Sequence, residues 1–242
     1  MLFVFCAAAN ASLSVKPSRV DLRIDKDDVF ESQYELGNDY DGDVTLTITV
    51  DDWNTYKGNA GLQPADWLTV TPLTVHMSKG ERKKVTYTVR TTQAMKGSLG
   101  AKVSFSLNPP GNDGLTVKMS FPIYANIYGT EDIKFEIKNI LFFYAEGNLK
   151  ASITVENRGN VNVRPEGKVD LYNSKKQQVY SAIFKPTLPV YTDSTRDGFG
   201  PAMPVNLEPG KYTAEIEVTA LGKTVKRKAK FRIKADGTLI SQ

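Results

Sequence analysis

The chain has 242 residues, 40% of them hydrophobic and 24% charged, with a net charge of +4; this is the composition of a globular protein, not of a disordered or fibrous one. No apolar run approaches the roughly 20 residues that cross a bilayer as a helix, and one histidine (His76) with one cysteine (Cys6) excludes a His/Cys zinc site and a disulfide framework. The slight positive charge falls short of the dense basic patches of nucleic-acid binders, and no cofactor motif is present.

Met1–Ala11 (MLFVFCAAANA) is apolar from Leu2 to Ala9 and ends in Ala9-Asn10-Ala11 before Ser12. That pattern predicts the tail of a secretory signal peptide with its cleavage site, although no basic segment precedes it; a buried first strand is the alternative. Phe3-Val4-Phe5 lacks the small residue expected before a lipidated Cys6. The expectation is an exported protein, periplasmic or at the cell surface, with no cysteine left after cleavage.

Beyond the leader, period-two alternation dominates and predicts strands. Val44–Val50, Val85–Val89 and Ala101–Leu107 alternate, separated by turn signals at Asp41-Gly42-Asp43, Lys57-Gly58-Asn59, Ser78-Lys79-Gly80 and Pro109–Gly114. Next comes Leu115–Tyr128, in which Leu115, Val117, Met119, Phe121, Ile123, Ala125 and Ile127 share one face. Seven apolar positions in step span about 40 Å, longer than an ordinary strand. Such a face either lines the protein's own core, with Pro122 marking an edge or bulge, or projects partly toward a groove where an extended partner chain pairs with the backbone.

A boundary is expected at Tyr128–Asp132, giving domains 12–130 and 131–242. The second half then continues in the same style with strands from Ile133, at Leu149–Val155, Gly167–Tyr172, Val179–Phe184, Tyr212–Val218 and Thr224–Ile233. The fold class is all-β, two tandem immunoglobulin-like β-sandwiches. Tyr212, after Pro209-Gly210, is placed like a tyrosine corner. Residues 1–129 carry 13 Lys+Arg against 14 Asp+Glu, and residues 130–242 carry 18 against 13, so any attraction for anions belongs to the second domain. Lys226, Lys228, Lys230, Arg232 and Lys234 share one face of the closing strand. They are candidates for an anionic envelope polymer or acidic partner, or lysines that keep an edge strand from aggregating.

Asp39–Asp43 resembles a calcium loop until its twelfth position, where Val50 replaces the needed glutamate, so a turn is expected. The neighbouring carboxylates Asp51-Asp52 and Glu131-Asp132 fall on opposite strand faces, a poor geometry for acid–base work. No nucleophile or phosphate-binding motif appears. The expectation is a protein that is not an enzyme, has no cofactor or metal and does not insert into a membrane.

Several segments, taken in order, resemble the PapD-like superfamily of bacterial periplasmic pilus-assembly chaperones. Ser14–Val20 is similar to its first strand with a basic residue, and Leu36-Gly37-Asn38 followed by Val44–Val50 to its second strand, turn asparagine and third strand. Trp67–Pro72 through Lys79-Gly80-Glu81, then Val85–Arg90, Lys96-Gly97 and Ala101–Phe105, continue the resemblance over residues 13 to about 130. It implies binding of a pilus or surface subunit by β-strand addition along Val117, Met119, Phe121, Ile123, Ala125 and Ile127. It also implies a two-cation clamp on the subunit's terminal carboxylate. Arg19 stands where the first cation belongs, but no lysine stands at Tyr124-Ala125-Asn126, where the second belongs. The second half, through Ile153–Val161 and Leu207–Tyr212, resembles a more general envelope immunoglobulin-like module. Two readings stay open: a chaperone-like protein, or a structural or adhesive envelope component with fixed partner contacts.

Overall fold

The computed structural model describes residues 12–111, 114–185, 188–204 and 206–241; the leader and Cys6 therefore lie outside the described residues. The chain divides between Thr130 and Glu131 into two compact units. Each is a sandwich of two β-sheets.

In the first unit, β1 (Leu13–Lys16), β3 (Val29–Asn38), β7 (Arg82–Arg90) and β5 (Leu68–Thr71) form one sheet in the order β1-β3-β7-β5. The other contains β2 (Val20–Ile24), β4 (Val44–Asp52), β6 (Thr74–Met77), β8 (Ser98–Leu107) and β9 (Val117–Ile127) in the order β2-β9-β8-β4-β6. Alternation decides which face is buried: Val44, Leu46 and Ile48 enter the core, while Thr45, Thr47 and Thr49 face out. Tyr34, Leu36, Trp67, Phe105 and Leu99 fill the space between the sheets. The expected first strand is in fact two. Leu13–Lys16 pairs antiparallel with β3, and after Pro17-Ser18-Arg19 the chain joins the opposite sheet, where Val20–Ile24 runs parallel to Ile123–Ile127 of β9.

In the second unit, β10 (Phe135–Ala145), β11 (Asn148–Asn157) and β14 (Ser194–Phe199) form one sheet, with β15 (Ala202–Met203) also on β11. The other runs β13-β12-β16-β17-β18, from β12 (Glu166–Tyr172), β13 (Gln178–Phe184), β16 (Gly210–Ala220), β17 (Lys223–Ile233) and β18 (Leu239–Ser241). Phe142, Leu149, Ile153, Ile216 and Phe231 are among its core residues. The β16–β17 hairpin turns at Leu221-Gly222, both at positive φ (49° and 79°), the conformation that a two-residue hairpin with native twist requires. Tyr212 Oη donates to the Glu208 carbonyl at 2.7 Å, the geometry of a tyrosine corner.

Both units close a turn with the same device. Asn38, ending β3, and Asn157, ending β11, are each 0% exposed. Asn38 Oδ1 accepts from the N–H two residues on (Tyr40), and its Nδ2 donates to Gly42, Met77 and Ser78 carbonyls. Asn157 Oδ1 accepts from Gly159 N–H, and its Nδ2 donates to Val161 and Val190 carbonyls. The amide replaces a missing stretch of ladder with bonds of its own.

Candidate functional site

The site follows from where β2 begins. β9 pairs with β8 without interruption, from Leu107↔Val117 to Ser98↔Asn126. On its other side β2 covers only Ile123–Ile127. Among the described residues, no strand pairs with the outer side of Val117–Pro122. The direction of each backbone group can be read from the far end. Ile127 N–H donates to Gly97 on the β8 side and Tyr128 N–H to Ile24 on the β2 side. A residue's N–H and C=O point the same way in a strand, and successive residues alternate. Lys118 and Ser120 therefore aim two N–H and two C=O groups along the open edge. Pro122, next in that series, has no N–H to offer and forfeits no ladder bond there.

The side chains of this half lie over the rim of the core. Val117, Met119 and Phe121 are half-buried; Phe121 packs its ring edge-on to Phe105 at 5.8 Å and lies 6.4 Å from Tyr34. Leu115, just before the strand, is exposed. Beneath the row, burial raises the pKa of the Tyr34 hydroxyl well above the usual tyrosine range, with Tyr87 adding to the effect.

Ile123, Ala125 and Ile127 correct the sequence expectation, because all three are 0% exposed. Their side chains belong to the core and are not available to a partner. The alternation is the same throughout β9, but in this half β2 flanks the strand. Across its outer face Trp53 Nε1 donates to Tyr124 Oη at 3.1 Å, and Lys102 Nζ lies 4.8 Å above the Trp53 ring. Gly100 permits that overlay: a Cβ there would sit 2.0 Å from the Trp53 carbonyl oxygen.

Arg19 lies in the crossover between β1 and β2, and its Nε pairs with Asp21 at 2.5 Å. At the late positions of β9, Tyr124 meets Trp53, Ala125 is in the core, and Asn126 Oδ1 accepts from Ser98 Oγ at 2.5 Å. The nearest cation in register is Arg23, opposite Asn126, with its guanidinium 4.1 Å above the Tyr128 ring. Sequence reading passed over Arg23 because the β2–β9 pairing is parallel and long-range, with no local signal.

The basic stripe on β17 is not uniform. Lys226 is bonded to Glu217 and Lys228 to Glu215, each directly opposite on β16. The Glu215 carboxylate raises the Lys228 pKa above its ordinary value. Lys230 faces Thr213, and Arg232 faces Lys211, a second cation. Arg227, which the sequence did not single out, donates from Nη1 to the Ile137 and Lys138 carbonyls of β10, each at 2.6 Å, where that strand carries a bulge.

No protein-family profile matches the chain, and no curated protein matches it by sequence. Solved structures do. The chaperone–tip adhesin complex of CFA/I fimbriae matches with a TM-score of 0.51 at 14% identity, over 90% of this chain and 98% of the other. The class 5 fimbriae chaperone CfaA matches with a TM-score of 0.50 at 14% identity, over the same shares of 90% and 98%. The chain has the PapD-like chaperone fold. The resemblance read in residues 13 to about 130 thus extends, at the level of fold, through both sandwiches. Among the described residues, no helix is long and apolar enough to cross a membrane.

Proposed function

We propose that the protein is a non-catalytic, periplasmic or cell-surface chaperone that binds an extended segment of a pilus or other surface subunit by strand addition to β9. The observation that carries this reading is the open edge at Lys118 and Ser120 beside the half-buried row Val117, Met119 and Phe121. An incoming strand continues the line of β2, gains up to four backbone hydrogen bonds of about 1 kcal/mol net each, and covers the apolar rim. Domain two offers a contrast in support. The edge strand β10 has two of its carbonyls occupied by Arg227, one way to blunt an edge. The similar CFA/I structure is a chaperone–tip adhesin complex, which suits a protein ligand of this class.

One observation favours a second reading, a structural or adhesive envelope protein with fixed contacts. Arg19 is engaged by Asp21, and Tyr124-Ala125-Asn126 contains no cation, so the carboxylate clamp of the usual chaperone is incomplete. The test between them is Lys118→Pro. It removes one outward N–H and no bond to β8, so thermal stability stays near that of the parent. We expect the parent to co-purify with a stoichiometric small β-rich subunit from its native envelope fraction, and the variant to hold that subunit at least about fivefold more weakly, the worth of one hydrogen bond. Equal retention by a folded variant, or recovery of the parent only in large fixed assemblies, retires strand addition.

A further inference from the structure

The outward face of β16 and β17 separates into a neutralised end and a positive end. At the first, Lys226 and Lys228 are matched by Glu217 and Glu215, and on the adjoining β12 Lys168 is matched by Asp170 at 2.8 Å. At the second, Lys211, Lys230, Arg232 and Lys234 are exposed, and none of them makes an ion pair among the described residues. Lys211 and Arg232 sit directly opposite each other across the ladder. Like charges in that position destabilise a sheet, so a negative charge placed between them is favourable twice over. Lys230, Arg232 and Lys234 recur every second residue of one chain, a rise of about 6.6 Å per step.

We propose that this end of the second unit binds an extended phosphodiester polymer, its charges following Lys230, Arg232 and Lys234 with Lys211 reinforcing the middle position. Charge complementarity selects the ligand: a row of cations at even spacing fits a chain whose anionic groups are part of its own backbone. The Arg232 fork suits bidentate contact with a phosphate. Thr213, opposite Lys230, adds a hydroxyl to the row.

Single-stranded oligothymidylate serves as the model polymer, its binding to the full chain followed by fluorescence anisotropy across a salt series. Four cations predict a slope of log K against log salt of about −3, at about 0.7 per charge. Lys230→Gln with Arg232→Gln should halve that slope, with a melting temperature no lower than the parent's. The charge-neutral pair Glu215→Gln with Lys228→Gln should leave it unchanged. A parent slope near zero, or equal losses in the two double variants, overturns the proposal. So does tighter binding of poly-L-glutamate than of the oligonucleotide, which would assign the face to an acidic protein segment.

Discussion

Asn38 and Asn157 hold equivalent posts in the two sandwiches, and each is a buried amide with its donors and acceptor engaged by backbone. Truncating either leaves backbone groups without these partners, at about 1–3 kcal/mol for each buried one before relaxation: three buried bonds at Asn157, and one buried and three part-buried at Asn38. We expect Asn38→Ala and Asn157→Ala each to cost about 2–4 kcal/mol in denaturant unfolding, whereas Asn59, half-buried with an exposed bond to the Lys96 carbonyl, should cost about 1 kcal/mol or less on the same change. Their identity in role was open to view in the sequence only as two asparagines ending alternating strands, Leu36-Gly37-Asn38 and Val155-Glu156-Asn157. That both point inward depends on the distant carbonyls of Met77 and Val190, which no local pattern announces.

At the scale of the element, β9 is one strand with two environments. Met119 lies on the half with the open edge and Ile123 on the half flanked by β2. Met119→Glu should fold, at a cost of about 1–2 kcal/mol for a half-buried site, and lose partner binding; Ile123→Glu places a charge in a closed core and should fail to fold, as circular dichroism would show. Comparable losses of structure in both would mean the first half is core as well. The strand itself was legible, because seven apolar residues in step leave no other period. Its division was not, since Phe121 and Ile123 look alike in sequence and differ only through where β2 joins. That point is set by the crossover at Pro17-Ser18-Arg19, which reads as part of a continuous first strand. Similarly, β14 escaped prediction because Ser194–Phe199 (STRDGF) shows no apolar alternation; it is held by pairing with β11. The basic stripe was legible as five charges on one face, but its division required the opposite strand, where Glu215 and Glu217 stand beside two of them and Lys211 beside a third.

Across the whole molecule, the surface charges set a broad plateau of stability. Hydrogen bonding by Ser78 N–H and by Lys83 holds Glu81 below its ordinary 4.5, Lys79 does the same for Asp41 from 3.8, and Lys150 for Glu146 from 4.5. Their folded forms bind protons less readily than the unfolded chain, so their contribution is present above the ordinary values and lost as pH falls through the folded ones. Lys138, Lys168 and Lys228 are raised above 10.5, chiefly by Glu136, Asp170 and Glu215 respectively. Their contribution is present below 10.5 and lost as pH rises through the folded values. The melting temperature should therefore be flat between about pH 5 and pH 10 and fall on both sides; a maximum confined to the neutral range would show that other groups dominate.

Strand addition requires an edge of β9 that is open in the free protein and closed by a partner strand. Amide hydrogen exchange, resolved by residue, tests this directly. Met119 and Phe121 point their N–H groups at β8 and should be protected in the free chain; Lys118 and Ser120 should exchange fast, and become protected when the co-purifying subunit is bound. Uniform protection from Val117 to Phe121 in the free chain, or fast exchange at Lys118 and Ser120 that the bound subunit leaves unchanged, would contradict it.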